Sequence, residues 1–137
     1  WDELHKLHKN IKLIYLEETM INEYFGGTCD CLLQVDGEYW LLDFKTSNHM
    51  NYKYSLQLAA YRYLLKNTKN INISKCMILR LDKLNHFYET QEFNLSNKDH
   101  LNYIENCEQT FMILLTAFKM RMYTNLQYQE ITNLNKK

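Results

Sequence analysis

The sequence predicts a single mixed α/β domain, and three observations carry that reading. Apolar residues alternate with a period of two over several short stretches, they recur at helical spacing over two longer ones, and an Asp-Gly pair (36–37) joins two of the alternating stretches. The 137 residues suffice for one core without disulfide or metal staples. With 46% apolar and 14% aromatic residues, the chain is not a disordered segment.

Residues 1–9 read as the end of a helix. Because the chain opens at Trp1 within that pattern, we expect a domain excised from a longer protein, with an upstream part missing. Residues 11–17 alternate as a strand, and 20–25 as a short strand ending at Gly26-Gly27, a turn or bulge signal. Residues 28–35 and 38–46 form a hairpin around Asp36-Gly37. Leu56, Ala59, Ala60, Tyr63 and Leu64 mark a helix over about 52–68. Residues 73–81 and 86–93 read as a second strand pair around Lys83-Leu84-Asn85. A final helix opens near Ser96, its N-cap, and runs to about 123, with Ile104, Cys107, Phe111, Leu114, Leu115 and Phe118 on one apolar face. The polar tail 128–137 is expected to fray. The order is helix, three strands, helix, two strands, helix.

Composition narrows the function classes. No apolar run is long enough to cross a bilayer, so no membrane role is expected. Cys29, Cys31, Cys76 and Cys107 form no CxxC pair, which argues against a zinc ribbon; buried reduced thiols of an intracellular protein are expected, with Cys29 and Cys31 sharing a strand face. The formal net charge is zero, whereas nucleic-acid binders usually carry a basic excess. Acidic metal ligands can mask a local basic surface, however, and Lys45, Lys53, Arg62 and Lys66 follow the acidic centre. Abundant Lys and Asn and absent Pro fit a genome composition bias.

The hairpin makes the most specific statement. If Asp36-Gly37 is a two-residue turn, Val35 faces Glu38, Leu32 faces Leu41 and Asp30 faces Asp43. Opposed residues have Cβ atoms roughly 5 Å apart, and like charges there are destabilising. Both aspartates sit in apolar sequence, so they either share a proton or hold a cation between them; a hard ion such as Mg²⁺ suits carboxylate oxygens. Lys45, two residues beyond Asp43, points to the same face, where it can orient or deprotonate water or stabilise phosphoryl charge. The Phe44 carbonyl is a natural further oxygen ligand. A lone Asp-Phe-Lys would be a solvated strand face with an ion pair; the opposed Asp30 and the apolar flanks favour a metal site for hydrolysis.

Gly27-Thr28-Cys29-Asp30, Leu42-Asp43-Phe44-Lys45-Thr46-Ser47 and Gln57-Leu58-Ala59-Ala60-Tyr61 together resemble the PD-(D/E)XK nuclease superfamily. The branch they are most similar to is the RecB-like exonucleases, including phage-type and mitochondrial genome-maintenance enzymes. In that branch the motif blocks are G-x-x-D, D-[FW]-K-T-S and Q-x-x-x-Y, and the resemblance covers about residues 16–65. It implies a restriction-endonuclease-like core and a Mg²⁺-dependent deoxyribonuclease, with Mn²⁺ able to substitute. It also implies Asp30 and Asp43 as metal ligands and Lys45 as the catalytic lysine. Gln57 and Tyr61, four apart on a helix face, would position DNA. An upstream glutamate is implied as well: Glu18 fits its E-x-x-[VI] context better than its neighbour Glu17. Some relatives hold an iron–sulfur cluster through cysteines near the C-terminus; Cys107 is the last one here, so no cluster is expected. DNA ends or single strands are the implied substrate, with a helicase, primase or polymerase as possible companions in replication or repair. The cytoplasm or a virus-infected cell is the expected setting, with mitochondrion and nucleus left open.

Other residues have a plainer reading beside a functional one. Tyr52, Tyr54 and Tyr63 can stack on bases but fit amphipathic packing. His49, Thr46 and Ser47 lie after the catalytic strand and can meet phosphate or simply end it. His5 and His8 suit a surface helix face better than a metal pair, and Lys119 and Arg121 suit a DNA backbone or a solvated face equally.

Overall fold

A computed structural model describes residues 10–135; the helix expected over 1–9, with His5 and His8, lies outside the described residues. Five strands form one mixed sheet in the order β1 (Ile11–Ile21), β2 (Gly26–Val35), β3 (Glu38–Lys45), β4 (Ile73–Leu81) and β5 (Tyr88–Asn94). Helix α1 (Lys53–Lys69) joins β3 to β4, and α2 (Lys98–Asn135) ends the described chain. All neighbouring strands are antiparallel except β3 and β4, which are parallel as a helical crossover requires. The α/β class, the mixed sheet and the element order follow the expectation, within the described residues.

The β2–β3 turn places Asp36 and Gly37 at φ 49° and 86°, the left-handed geometry of a type I′ turn. It sets the expected register: Val35 pairs with Glu38, Leu32 with Leu41 and Cys31 with Leu42. One face of the sheet carries a core of Leu32, Leu41, Leu58, Leu64, Ile78 and Ile104 beneath α1 and α2. A second cluster, Cys31, Leu33, Val35, Trp40, Leu42 and Met77, lies on the other face. Asn70, in the left-handed conformation, caps α1, and its N–H reaches the Leu65 and Lys66 carbonyls.

Five expectations need correction. The short strand over 20–25 is absent: β1 continues to Ile21, and Asn22 Oδ1 then accepts hydrogen bonds from the N–H groups of Tyr24 and Phe25, closing a turn. Gly26 and Gly27 begin β2 rather than ending a strand. The N-cap of α2 is Asn97, whose Oδ1 accepts from the N–H groups of Asp99 and His100, while Ser96 bonds back to Asn94. Helix α2 does not stop near 123 but runs to Asn135, since neither Gly nor Pro interrupts it. Cys29 and Cys31 do not share a face: Cys29 joins the cluster beneath the helices and Cys31 the opposite one. Alternation breaks beside Asp30, where Glu17 stands across the ladder with φ 52°.

The apolar face of α2 divides in two. Ile104 and Cys107 are buried and Phe111 packs on Phe25, with ring centroids 5.0 Å apart. Leu114 and Phe118 are exposed, as is every residue from 120 to 131.

Candidate active site

Helix α1 lies across the helix-covered face of β2 and β3 at the end where the hairpin ladder stops. The β2–β3 ladder ends at Cys31–Leu42, and beyond it the backbone N–H of Phe44 donates 2.8 Å to Asp30 Oδ2. That bond fixes the Asp30 carboxylate beside Asp43. Asp43 is 2% exposed, and its Oδ2 is buried without a hydrogen-bond partner. The Lys45 ammonium sits 3.0 Å from the same oxygen, close enough for an ion pair but out of hydrogen-bond alignment.

Electrostatics follow from this burial. Desolvation, reinforced by the neighbouring Asp30 carboxyl, pushes the Asp43 pKa from 3.8 up to about 6, against the pull of Lys45. An under-satisfied, buried, oxygen-only pair is what a hard divalent cation stabilises, so these residues fit such an ion. Asp30 and Asp43 supply the carboxylate oxygens at hand. Among the described residues no third Asp, Glu, His or Cys converges on the pair.

Lys45 is held from the helix side. Its Nζ donates 2.6 Å to Gln57 Oε1, and the ring of Tyr54 lies 4.9 Å away. Gln57 Nε2 donates 2.7 Å to the Tyr61 hydroxyl, one helical turn on. Burial foremost, aided by the charges of Asp43 and Asp30, raises the Tyr61 pKa, so its hydroxyl stays protonated. An unbroken polar chain therefore runs Asp43, Lys45, Gln57, Tyr61. It exists because β3 and α1 each present polar residues in register, positions 43 and 45 on the strand and 57 and 61 on the helix.

Gly27 makes the approach of Tyr61 possible. A Cβ there would stand 2.8 Å from Tyr61 Cε1, so the glycine is required for ring clearance rather than for a turn.

Glu18 is placed differently. It stands across from Cys29 in the β1–β2 ladder, and its Oε1 pairs with Lys69 Nζ at 3.2 Å, at the far end of α1. Glu17 is exposed, in the left-handed conformation. Neither joins the carboxylate pair. The basic residues after the centre do not form one patch either: Arg62 pairs with Glu108 at 3.4 Å, and Lys66 donates to Asn70. His49 is exposed and its carbonyl accepts from Ser47 Oγ; Tyr63 stacks on Phe25; Lys119 donates to the Tyr24 carbonyl. All four cysteines are buried and free.

Two residues escaped sequence reasoning. Tyr54 was indistinguishable from its packing neighbours. Arg80 is 4% exposed, stands beside Lys45 in the parallel β3–β4 register, and donates 2.8 Å from Nη1 to the Ser47 carbonyl and 2.5 Å from Nε to Glu89 Oε1. A cation between the apolar run Cys76-Met77-Ile78-Leu79 and Leu81 was the available signal.

A family model described as the PD-(D/E)XK nuclease superfamily matches residues 1–129. The chain belongs to that superfamily. Its α/β sheet agrees with the restriction-endonuclease-like core expected of that superfamily. No curated protein matches the chain. The chain is similar to the solved structure of SSO0001 at 14% identity and a TM-score of 0.42, over 76% of this chain and 48% of that one. The chain thus spans about half the length of that structure. Among the described residues, no helix is long and apolar enough to cross a membrane.

Proposed function

We propose that the protein is a divalent-metal-dependent deoxyribonuclease of the RecB-like branch, an exonuclease that hydrolyses phosphodiester bonds at DNA ends or in single strands. The observation that carries this reading is the buried, hydrogen-bond-deficient Oδ2 of Asp43, held between the Asp30 carboxylate and the Lys45 ammonium. Asp30, Asp43 and the Phe44 carbonyl would hold Mg²⁺, or Mn²⁺ in its place; Glu18 would join directly or through water if Lys69 released it. A bound divalent ion supplies Lewis-acid polarisation of a phosphoryl oxygen and a lowered pKa for the attacking water.

The chain's own residues supply the rest. Asp30, fixed by the Phe44 N–H, keeps its partner Asp43 in place. Lys45 presents its ammonium where water attacks and where charge develops on the phosphoryl oxygens, and it orients that water. Gln57 takes one Lys45 proton as a hydrogen bond and so aims the ammonium; Tyr61 in turn orients Gln57. Tyr61 and Gln57 face the approaching DNA backbone as neutral hydrogen-bonding groups. A helicase, primase or polymerase working on the same DNA belongs to this proposal as partner. The expected result of an assay on end-labelled single- and double-stranded DNA is cleavage with Mg²⁺ and none in excess EDTA; cleavage surviving EDTA refutes the metal mechanism.

One observation favours a second reading, a catalytically silent nucleic-acid-binding or scaffold module on the same fold: Glu18 is engaged by Lys69, and only two carboxylates converge among the described residues. Calorimetric titration separates the two, because the silent module binds neither Mg²⁺ nor Mn²⁺.

A further inference from the structure

The β4–β5 hairpin ends at the same edge of the sheet as the candidate site, since Lys45 and Arg80 are register partners near the ends of their parallel strands. Its tip has an unusual composition for a connector. Leu84 is 80% exposed and Phe87 45% exposed, with Leu81 and Tyr88 also in solvent at its base. Single exposed apolar residues need no explanation, but several gathered on one tip do.

The tip is built rather than loose. Asp82 Oδ1 accepts hydrogen bonds from the N–H groups of Leu84 and Asn85, its own N–H donates 2.9 Å to the Phe87 carbonyl, and its carbonyl accepts from the His86 N–H. These backbone bonds to Asp82 hold its carboxyl below the ordinary value. Arg80 lies against the Phe87 ring at 5.6 Å while its other contacts reach Glu89 and the Ser47 carbonyl, in the loop that follows Lys45. One buried arginine therefore fastens the aromatic ring of the tip and the backbone beside the catalytic lysine into one unit. Arg80 also lies 3.7 Å from the Asp82 carboxylate, so exposed Lys83 is the tip cation left to meet a strand's phosphate.

We propose that Leu84 and Phe87 form a stacking surface for an unpaired nucleobase of the DNA strand that enters the site. This rests on the nuclease reading, and it narrows the substrate to a strand with at least one unpaired base near the cleaved bond. The ring offers a π-face already polarised by Arg80, and Leu84 offers the apolar edge that separates a base from its neighbour. A protein partner would use the same apolar atoms but would not need the link to Ser47.

The test uses the full chain with Ca²⁺ replacing Mg²⁺ and a single-stranded oligonucleotide carrying one 2-aminopurine. Wild type is expected to change the probe's fluorescence on binding and to bind the same strand more weakly when the probe position is abasic. Phe87→Ala is expected to weaken binding about tenfold, Leu84→Ser less, and Phe87→Trp to restore it, with circular dichroism unchanged in all three. Equal affinity for the base-bearing and abasic strands, no fluorescence change with wild type, or unaltered binding by both Phe87→Ala and Leu84→Ser overturns the proposal. So does a result in which the tip variants change only the oligomeric state. If wild type fails to cleave with Mg²⁺ yet discriminates the abasic strand, the nuclease reading falls and the stacking surface stands; cleavage with indifferent tip variants gives the reverse.

Discussion

Two steps along β2 and β3 separate a pair of leucines from a pair of aspartates. Leu32 and Leu41 face each other beneath α1, fully buried. Asp30 and Asp43 occupy the next layer on the same face, and Asp43 is scarcely more exposed. The backbone geometry of the two layers is nearly the same, and their energetics are opposite. The leucine layer gains from leaving water, whereas the aspartate layer loses, a cost that the proposed cation site would offset. Neighbouring positions of one hairpin thus separate what folds the chain from what it does.

Substitutions can break that contrast in either direction. The largest effect is expected from Asp43→Ala and from Lys45→Ala: each abolishes DNA cleavage, and Asp43→Ala leaves the thermal midpoint without metal the same or higher, whereas Lys45→Ala, which strips the buried carboxylate of its partner, lowers it. A midpoint collapse on Asp43→Ala would show that the acidic layer is structural after all. Leu41→Ala should do the converse, with unfolding titrations losing about 2–5 kcal/mol of stability and the Mg²⁺ dependence of any residual activity unaltered. Gly27→Ala is subtler. The new methyl forces the Tyr61 ring away, which is expected to cost about 1–3 kcal/mol as an overpacked contact and to lower kcat more than it alters KM.

The smallest effect concerns pH. The Asp43 carboxyl titrates near 3.8 when unfolded and at about 6 when folded, so between those values the folded state holds the extra proton. Stability of the metal-free protein should therefore fall as pH rises through that window, and stay at its lower level above it. Comparing wild type with Asp43→Asn isolates the contribution: the difference in midpoint should grow from pH 4 to pH 7, and a flat difference contradicts the burial argument.

Much of this arrangement was readable from the chain. Asp36-Gly37 demanded a two-residue turn, the turn demanded a register, and the register brought residues 30 and 43 together on the face that Lys45 shares. Gln57 and Tyr61 were named by the family resemblance, and helical spacing put them on one face. What resisted reading depends on contacts between distant segments. Nothing in Glu18-Thr19-Met20-Ile21 announces that Lys69, fifty-one positions later, will take the glutamate. The role of Gly27 rests on a ring arriving from α1, and the partners of Arg80, the Ser47 carbonyl and Glu89, come from segments that its own strand does not announce. The Asn22 turn was missed because Tyr24 and Phe25 look like strand residues until their N–H groups are counted.

The length of α2 carries one last consequence. Its 38 residues extend about 57 Å, and beyond Lys119 the side-chain hydrogen bonds among the described residues are local, Thr124 to the Met120 carbonyl and Thr132 to the Tyr128 carbonyl. A helical stretch of that size without tertiary support among the described residues is marginal in water. Amide deuterium uptake along α2 should consequently be slow around Ile104 and Cys107 and quicken steadily toward Asn133, a gradient written into one continuous helix by where its neighbours stop.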